Sequence, residues 1–128
     1  MRAIFLTAVL AFAPTLSLAQ DLPTDTPKCS TPRHCEITWT AAQEALGIVS
    51  QMRIRLLTDT RIETYAPTGA GRVGAVVTKV PSGESGYEIL VQLECYGSIP
   101  CTDIQAKGSS LFNQLVNGVV KRRMPSPN

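Results

Sequence analysis

The apolar residues of this chain change their period twice along the sequence. Four of them recur at the spacing of one helix face, namely Ala42, Ala45, Leu46 and Val49. The period falls to two over Met52–Thr64 and again over Tyr87–Cys95, which is typical of strands. A helical period returns between Leu111 and Val120. This order predicts an α+β fold, in which a small antiparallel meander of three or four strands carries an N-terminal and a C-terminal helix on one face.

Local signals predict where these elements begin and end. Thr40 and Gln43 have the spacing of a capping box, so the first helix is expected to begin at Thr40. The 13 residues of Met52–Thr64 are too many for one strand in so small a domain, so a turn or bulge is expected near Asp59. The β-branched run Arg72–Val80 is the next predicted strand.

The first 19 residues have the pattern of a cleaved signal peptide. Arg2 gives a positive start, a nearly unbroken apolar run of 11 residues follows, and Ser17–Ala19 offers small residues for cleavage after Ala19. The run is shorter than the roughly 20 residues that cross a bilayer as a helix. Gln20 rather than a cysteine follows the cut, so neither a transmembrane segment nor a lipid anchor is expected. The protein is therefore predicted to be periplasmic or secreted.

The mature chain divides into three predicted parts. Residues 20–34 contain Pro23, Pro27 and Pro32 and are expected to form a proline-rich tether that disfavours helix and sheet. Residues 35–123 are the single folded domain, and residues 124–128 are a flexible tail. The element order is similar to that of small helix-grip domains of bacterial envelope proteins, a resemblance that implies no site.

Four cysteines in an exported chain of this size are expected to form two disulfides. Five residues separate Cys29 from Cys35, and five separate Cys95 from Cys101. A bond between Cys35 and Cys95 would close a longer loop and stabilise the fold more through chain entropy. The matched spacing and the ease of closure favour two local pairs instead, which we expect.

No set of residues predicts catalysis, a cofactor or a metal site. His34 is the only histidine and lies in the predicted tether, beside a cysteine expected in a disulfide. Gly69–Gly74 matches G-x-G-x-x-G, but a strand follows it instead of a helix, so it predicts a hairpin loop. Asp59 and Glu63 are expected to be solvated on an outward strand face. Trp39 is expected to make a core or cap contact ahead of the first helix.

The candidate contact surface is the solvent side of the predicted sheet. Arg53 and Arg55 lie at solvent parity, and Leu57 and Leu90 interrupt that charged face with apolar side chains. An apolar spot framed by charge is typical of a modest protein interface. The formal net charge of +2 is too small to favour nucleic acid, and aromatic residues do not alternate with basic ones. The leading hypothesis is an exported, non-enzymatic envelope protein that binds another protein.

Two other functions stay open at this point. A secreted enzyme inhibitor would insert the loop between Cys95 and Cys101, with Tyr96 and Ile99 as its contact residues. An enzyme of unrecognised type is the second alternative.

Overall fold

The computed structural model describes residues 25–97 and 101–124. In these ranges the elements follow as β1 (Lys28–Cys29), α1 (Pro32–Val49), β2 (Ile54–Leu57), β3 (Arg61–Thr64), β4 (Val73–Ser82), β5 (Gly86–Cys95) and α2 (Thr102–Arg123). The predicted signal peptide, the first part of the predicted tether and residues 125–128 lie outside them. The α+β class is confirmed. No helix in the described ranges is both long and apolar enough to cross a bilayer.

One antiparallel sheet has the strand order β1-β5-β4-β3-β2. The strands β2 to β5 form the predicted meander, and the turn expected near Asp59 separates β2 from β3. The predicted number of three or four strands is wrong, because Lys28 and Cys29 add a fifth strand beside β5. A two-residue strand has no periodicity that a sequence pattern could reveal.

The segment predicted as a tether is part of the fold from Pro27 onward. Pro27 is fully buried, and its carbonyl accepts a hydrogen bond from the Ile89 N–H at 2.9 Å. Pro32 lies in the first turn of α1. A proline costs little there, because the first N–H groups of a helix have no partner within the helix. The expectation that these prolines exclude helix and sheet is therefore wrong.

Helix α1 begins at Pro32 and not at Thr40. The Thr31 hydroxyl caps the helix by accepting a hydrogen bond from the His34 N–H at 3.2 Å. Thr40 and Gln43 lie inside the helix, so their spacing is not that of a capping box here. The early start gives α1 18 residues and brings Trp39 into its interior.

The core joins residues of both helices to residues of the sheet. Its largest fully buried side chains include Phe112 and Val116 of α2, Leu46 of α1, and Ile62, Val77 and Ile89 of the sheet. Gly108 brings α2 close to β5, because a Cβ atom at this position would overlap the Leu93 side chain. Each fully buried Leu, Ile or Phe contributes about 1.5–3 kcal/mol.

Both helices are covalently tied to the sheet near their N-termini. Cys29 of β1 is bonded to Cys35 in the first turns of α1, with a Cα–Cα distance of 5.0 Å. Cys95 at the end of β5 is bonded to Cys101, the N-cap of α2, with a Cα–Cα distance of 6.3 Å. The expected local pairing is confirmed. Two disulfides are compatible with an extracytosolic compartment.

Gly47 offers a stabilising substitution. It is exposed in α1, and a Cβ atom there would have no neighbour within 4 Å. We expect Gly47→Ala to raise the free energy of unfolding by about 0.5–1 kcal/mol, because glycine is disfavoured in helices by this amount. Urea denaturation measures the change. Gly108→Ala is the control, and an equal gain there would contradict the close packing of α2 on Leu93.

Candidate functional site

The strand register divides the sheet into two sides. We call outer face the side that carries Arg61, Thr78 and Leu90, which are paired across β3, β4 and β5. The next row on this face contains Leu56, Glu63, Val76 and Gln92. The core side carries the buried Ile62 and Val77. On the outer face Leu90 is 43% exposed and Leu56 is 37% exposed.

Leu57 does not lie on the same side of the sheet as Leu90. Leu57 pairs with Ile62, whereas Leu90 pairs with Thr78 on the outer face. The register of β2 shifts between Ile54 and Leu56, and this bulge at Arg55 reverses the alternation that the sequence suggests. The predicted grouping of Leu57 with Leu90 is therefore wrong, and Leu56 takes that place.

Glu63 is buried on the outer face between two arginines. The guanidinium groups of Arg55 and Arg61 both contact its carboxylate. The hydrogen bond from Arg61 lowers the pKa of Glu63 below its usual value; burial works in the opposite direction, and the positive charges of Arg61 and Arg55 add to the lowering. The expectation that Glu63 is simply solvated is wrong. Arg53 precedes β2 and is exposed.

The lowered pKa of Glu63 makes stability depend on pH. The charged form is stabilised in the folded protein, so this contribution is complete above the ordinary pKa of 4.5 and is lost as pH falls through the lowered value. Between about pH 6 and about pH 3, the Tm of wild type is expected to fall more steeply than that of Glu63→Gln. Thermal unfolding followed by circular dichroism tests this. The exposed Glu94→Gln is the control, and parallel curves for wild type and Glu63→Gln would refute the prediction.

Charged side chains lie at both sides of the outer face, and most of them form ion pairs. Arg55 and Arg61 surround one carboxylate on β2 and β3. On the other side Lys28 Nζ lies 3.4 Å from Glu88, and Glu94 is exposed on the same strand. Two of these ion pairs join neighbouring strands, Arg55 of β2 with Glu63 of β3 and Lys28 of β1 with Glu88 of β5. The arginines do not pair with the β5 carboxylates, because β4 lies between β3 and β5.

A groove of about 690 Å³ lies between the start of α1, the β2–β3 turn and the β4–β5 turn. Lys79 Nζ lies 5.0 Å from the centroid of the Trp39 ring and 5.5 Å from that of Tyr87. Trp39 is 7% exposed and belongs to the core, as expected, and its Nε1 donates a hydrogen bond to the Thr58 carbonyl at 3.1 Å. Asp59, the other carboxylate considered for catalysis, is exposed on the wall of this groove.

Sequence reasoning missed Lys79 and Tyr87. One signal was present, because Lys79 follows Val73, Ala75 and Val77 at the core parity of β4, where a charge is out of place. The three groups of the groove come from α1, β4 and β5 and meet only in the folded chain. Their proximity in the fold could therefore not be predicted from their spacing in the sequence.

The loop proposed for an inhibitor is closed by the Cys95–Cys101 disulfide. Tyr96 is 47% exposed, and residues 98–100, including Ile99, lie outside the described ranges. A second groove of about 400 Å³ lies beside it, lined by Arg72, Tyr96 and Ile104 among others.

The groups considered for catalysis do not come together in the described part of the chain. Cys35 is in a disulfide, so His34 has no thiol beside it to activate. Gly74 of the glycine motif lies in β4 and not at a helix start. No cluster of three or more His, Cys, Asp or Glu in the described ranges is placed to hold a metal ion. Comparison with protein-family models, curated proteins and solved structures finds no match to this chain.

Proposed function

We propose that this protein is exported, is not an enzyme and acts by binding another protein through the outer face of its sheet. The observation that carries the proposal is the pair of exposed leucines, Leu56 and Leu90, framed by charged side chains. Packing of both helices on the core side would leave the outer face free for a partner. The single core cluster, which includes residues of both helices together with Ile62 and Val77, supports that arrangement.

The charges on the outer face define what the partner must present. Acidic groups would lie opposite Arg55 and Arg61, whose combined charge exceeds that of Glu63. A basic group would lie opposite the exposed Glu94, because Glu88 is already paired with Lys28. Rim charges of this kind set the orientation and the association rate more than the affinity, while burial of the leucines supplies the binding free energy.

Export is supported by two independent features. The N-terminal sequence has the pattern of a signal peptide, and both disulfides close within the folded domain. Stable disulfides are rare in a reducing cytosol. The partner is accordingly proposed to be a periplasmic or extracellular protein.

Matched leucine variants test the proposal. Wild type, a Leu56→Asp, Leu90→Asp variant and a Leu57→Asp variant are used to capture proteins from envelope extract, and each captured protein is then purified and titrated. The outer-face variant is expected to bind its partner at least about thirty-fold more weakly, the effect of losing one interface hot spot. Leu57 is the control because it is 51% exposed on the other side of the sheet.

The same two leucine variants also define the result that would contradict the proposal. Loss of the partner by Leu57→Asp, with full binding by the outer-face variant, would overturn the proposal. Circular dichroism and thiol titration of all three proteins verify that each is folded with both disulfides closed.

Enzyme inhibition is the second candidate, favoured by the closed loop and the exposed Tyr96. A constrained loop loses little entropy when it binds. A Tyr96→Ala, Ile99→Ala variant would lose inhibition of a target enzyme and keep the outer-face partner. Loss of that partner instead would assign the loop to the same interface.

A further inference from the structure

Lys79 is a half-buried cation whose ammonium group has no acidic partner among the described residues. The ammonium group is held over the rings of Trp39 and Tyr87, at 5.0 and 5.5 Å from their centroids. Ring faces attract a cation but accept none of its three N–H groups in the way an oxygen does. Lys79 therefore presents charge and hydrogen-bond donors to a ligand in the groove.

From the position of Lys79 in the groove we infer that the groove binds an acidic saccharide, which is a hydroxyl-rich sugar with a single carboxylate. The carboxylate would pair with Lys79 Nζ. The first turn of the 18-residue helix α1 also lines the groove and adds its partial positive charge.

The remaining groups in the groove select against other kinds of ligand. Glu36 and Asp59 line the groove and form no ion pair in the described part of the chain. The groove therefore contains two negative charges and one positive charge, that of Lys79. A polyanion such as a nucleic acid would bring further negative charges beside Glu36 and Asp59 and be repelled, whereas a ligand with one carboxylate can pair it with Lys79, which neither of them neutralises. An apolar ligand would bury these carboxylates without hydrogen bonds, which is unfavourable.

A sugar satisfies the same groups. Its hydroxyls can donate to Glu36 and Asp59, and they can exchange hydrogen bonds with the hydroxyls that line the groove, which belong to Ser30, Thr31, Thr40, Thr60 and Ser85. The apolar face of a pyranose can pack on Tyr87, which is 37% exposed. The volume of about 690 Å³ lies within the range of small-molecule sites and accommodates a disaccharide.

Trp39 provides the readout, because it is the only tryptophan of the chain and lies against Lys79. The purified protein is titrated with a disaccharide of glucuronic acid and N-acetylglucosamine, and tryptophan emission is recorded. A saturable change is expected. The same disaccharide with its carboxylate reduced to an alcohol is expected to bind at least about ten-fold more weakly, because a charged hydrogen bond is lost.

Lys79→Met tests the residue while keeping an alkyl chain against the rings. It is expected to weaken the acidic disaccharide at least about ten-fold and to leave the neutral one little changed. Lys28→Met is the matched control, because the Lys28 side chain is 68% exposed on the outer face and should not affect the titration. The Leu56→Asp, Leu90→Asp variant should also bind the sugar normally, so the failure of the outer-face proposal would not imply failure of this one.

Three results would overturn the assignment of the groove to acidic sugars. The first is the absence of saturable binding by wild type. The second is equal affinity for the neutral disaccharide or for tri-alanine, which would indicate a neutral-sugar or peptide site. The third is full affinity in Lys79→Met. If Lys79→Met does not fold, the NMR signal of the Trp39 indole N–H in wild type provides the test. This signal must shift when the acidic disaccharide is added and must not shift when the neutral one is added.

Discussion

Replacement of Phe112 by alanine is expected to lower the free energy of unfolding by about 3–5 kcal/mol. Phe112 of α2 is fully buried in the cluster that joins both helices to the sheet. Truncation removes a large apolar side chain and leaves a cavity. The facing helix α1 contributes mainly alanines to this cluster, and these are too short to fill the space.

A loss of this size is a large part of the total stability of a small domain, which is about 5–15 kcal/mol. Urea denaturation at equilibrium measures it. Leu111→Ala is the matched control, because Leu111 precedes Phe112 on α2 and is 41% exposed. It is expected to cost less than about 1 kcal/mol. Equal losses at the two positions would contradict the observed orientation of α2.

Removal of the Cys29–Cys35 disulfide in a Cys29→Ala, Cys35→Ala variant is expected to cost about 2 kcal/mol or more. Chain entropy alone gives about 2 kcal/mol for so short a loop. Both sulfur-bearing residues are also buried, Cys29 at 3% and Cys35 at 7% exposure, so their packing is disturbed as well.

The expected damage is local as well as global. The disulfide anchors β1, and the neighbouring Pro27 carbonyl accepts a hydrogen bond from the Ile89 N–H. Hydrogen exchange at the Ile89 amide should therefore accelerate in this variant. A Cys95→Ala, Cys101→Ala variant should preserve more of that protection. Unchanged exchange at Ile89 in the first variant would show that β1 holds its place without the crosslink.

The long, regular elements could be predicted from the sequence. Strand β5 was expected over Tyr87–Cys95 and spans Gly86–Cys95, because alternation over nine residues leaves little ambiguity. The apolar period over Leu111–Val120 predicted helix α2, which begins earlier, at Thr102, and ends at Arg123. The disulfide pairing followed from the matched intervals between the cysteines.

Features that depend on one or two residues could not be predicted. The prolines near the start of the fold do not exclude ordered structure, since Pro27 is buried in the fold and Pro32 begins a helix. A bulge at Arg55 exchanged the sides of Leu56 and Leu57, and no sequence pattern marks a bulge of this kind. Leu57, one of the two leucines of the predicted contact surface, therefore lies on the opposite side of the sheet from Leu90.

The two crosslinks each enclose only a strand-to-helix connection, so neither bridges the β4–β5 hairpin. Cleavage of the backbone between Gly83 and Glu84, both exposed at the tip of that hairpin, would yield two fragments with no covalent bond between them. Each fragment would keep its own closed cystine ring. Reassembly would have to insert β5 between β1 and β4 again. The domain is therefore well suited to fragment complementation.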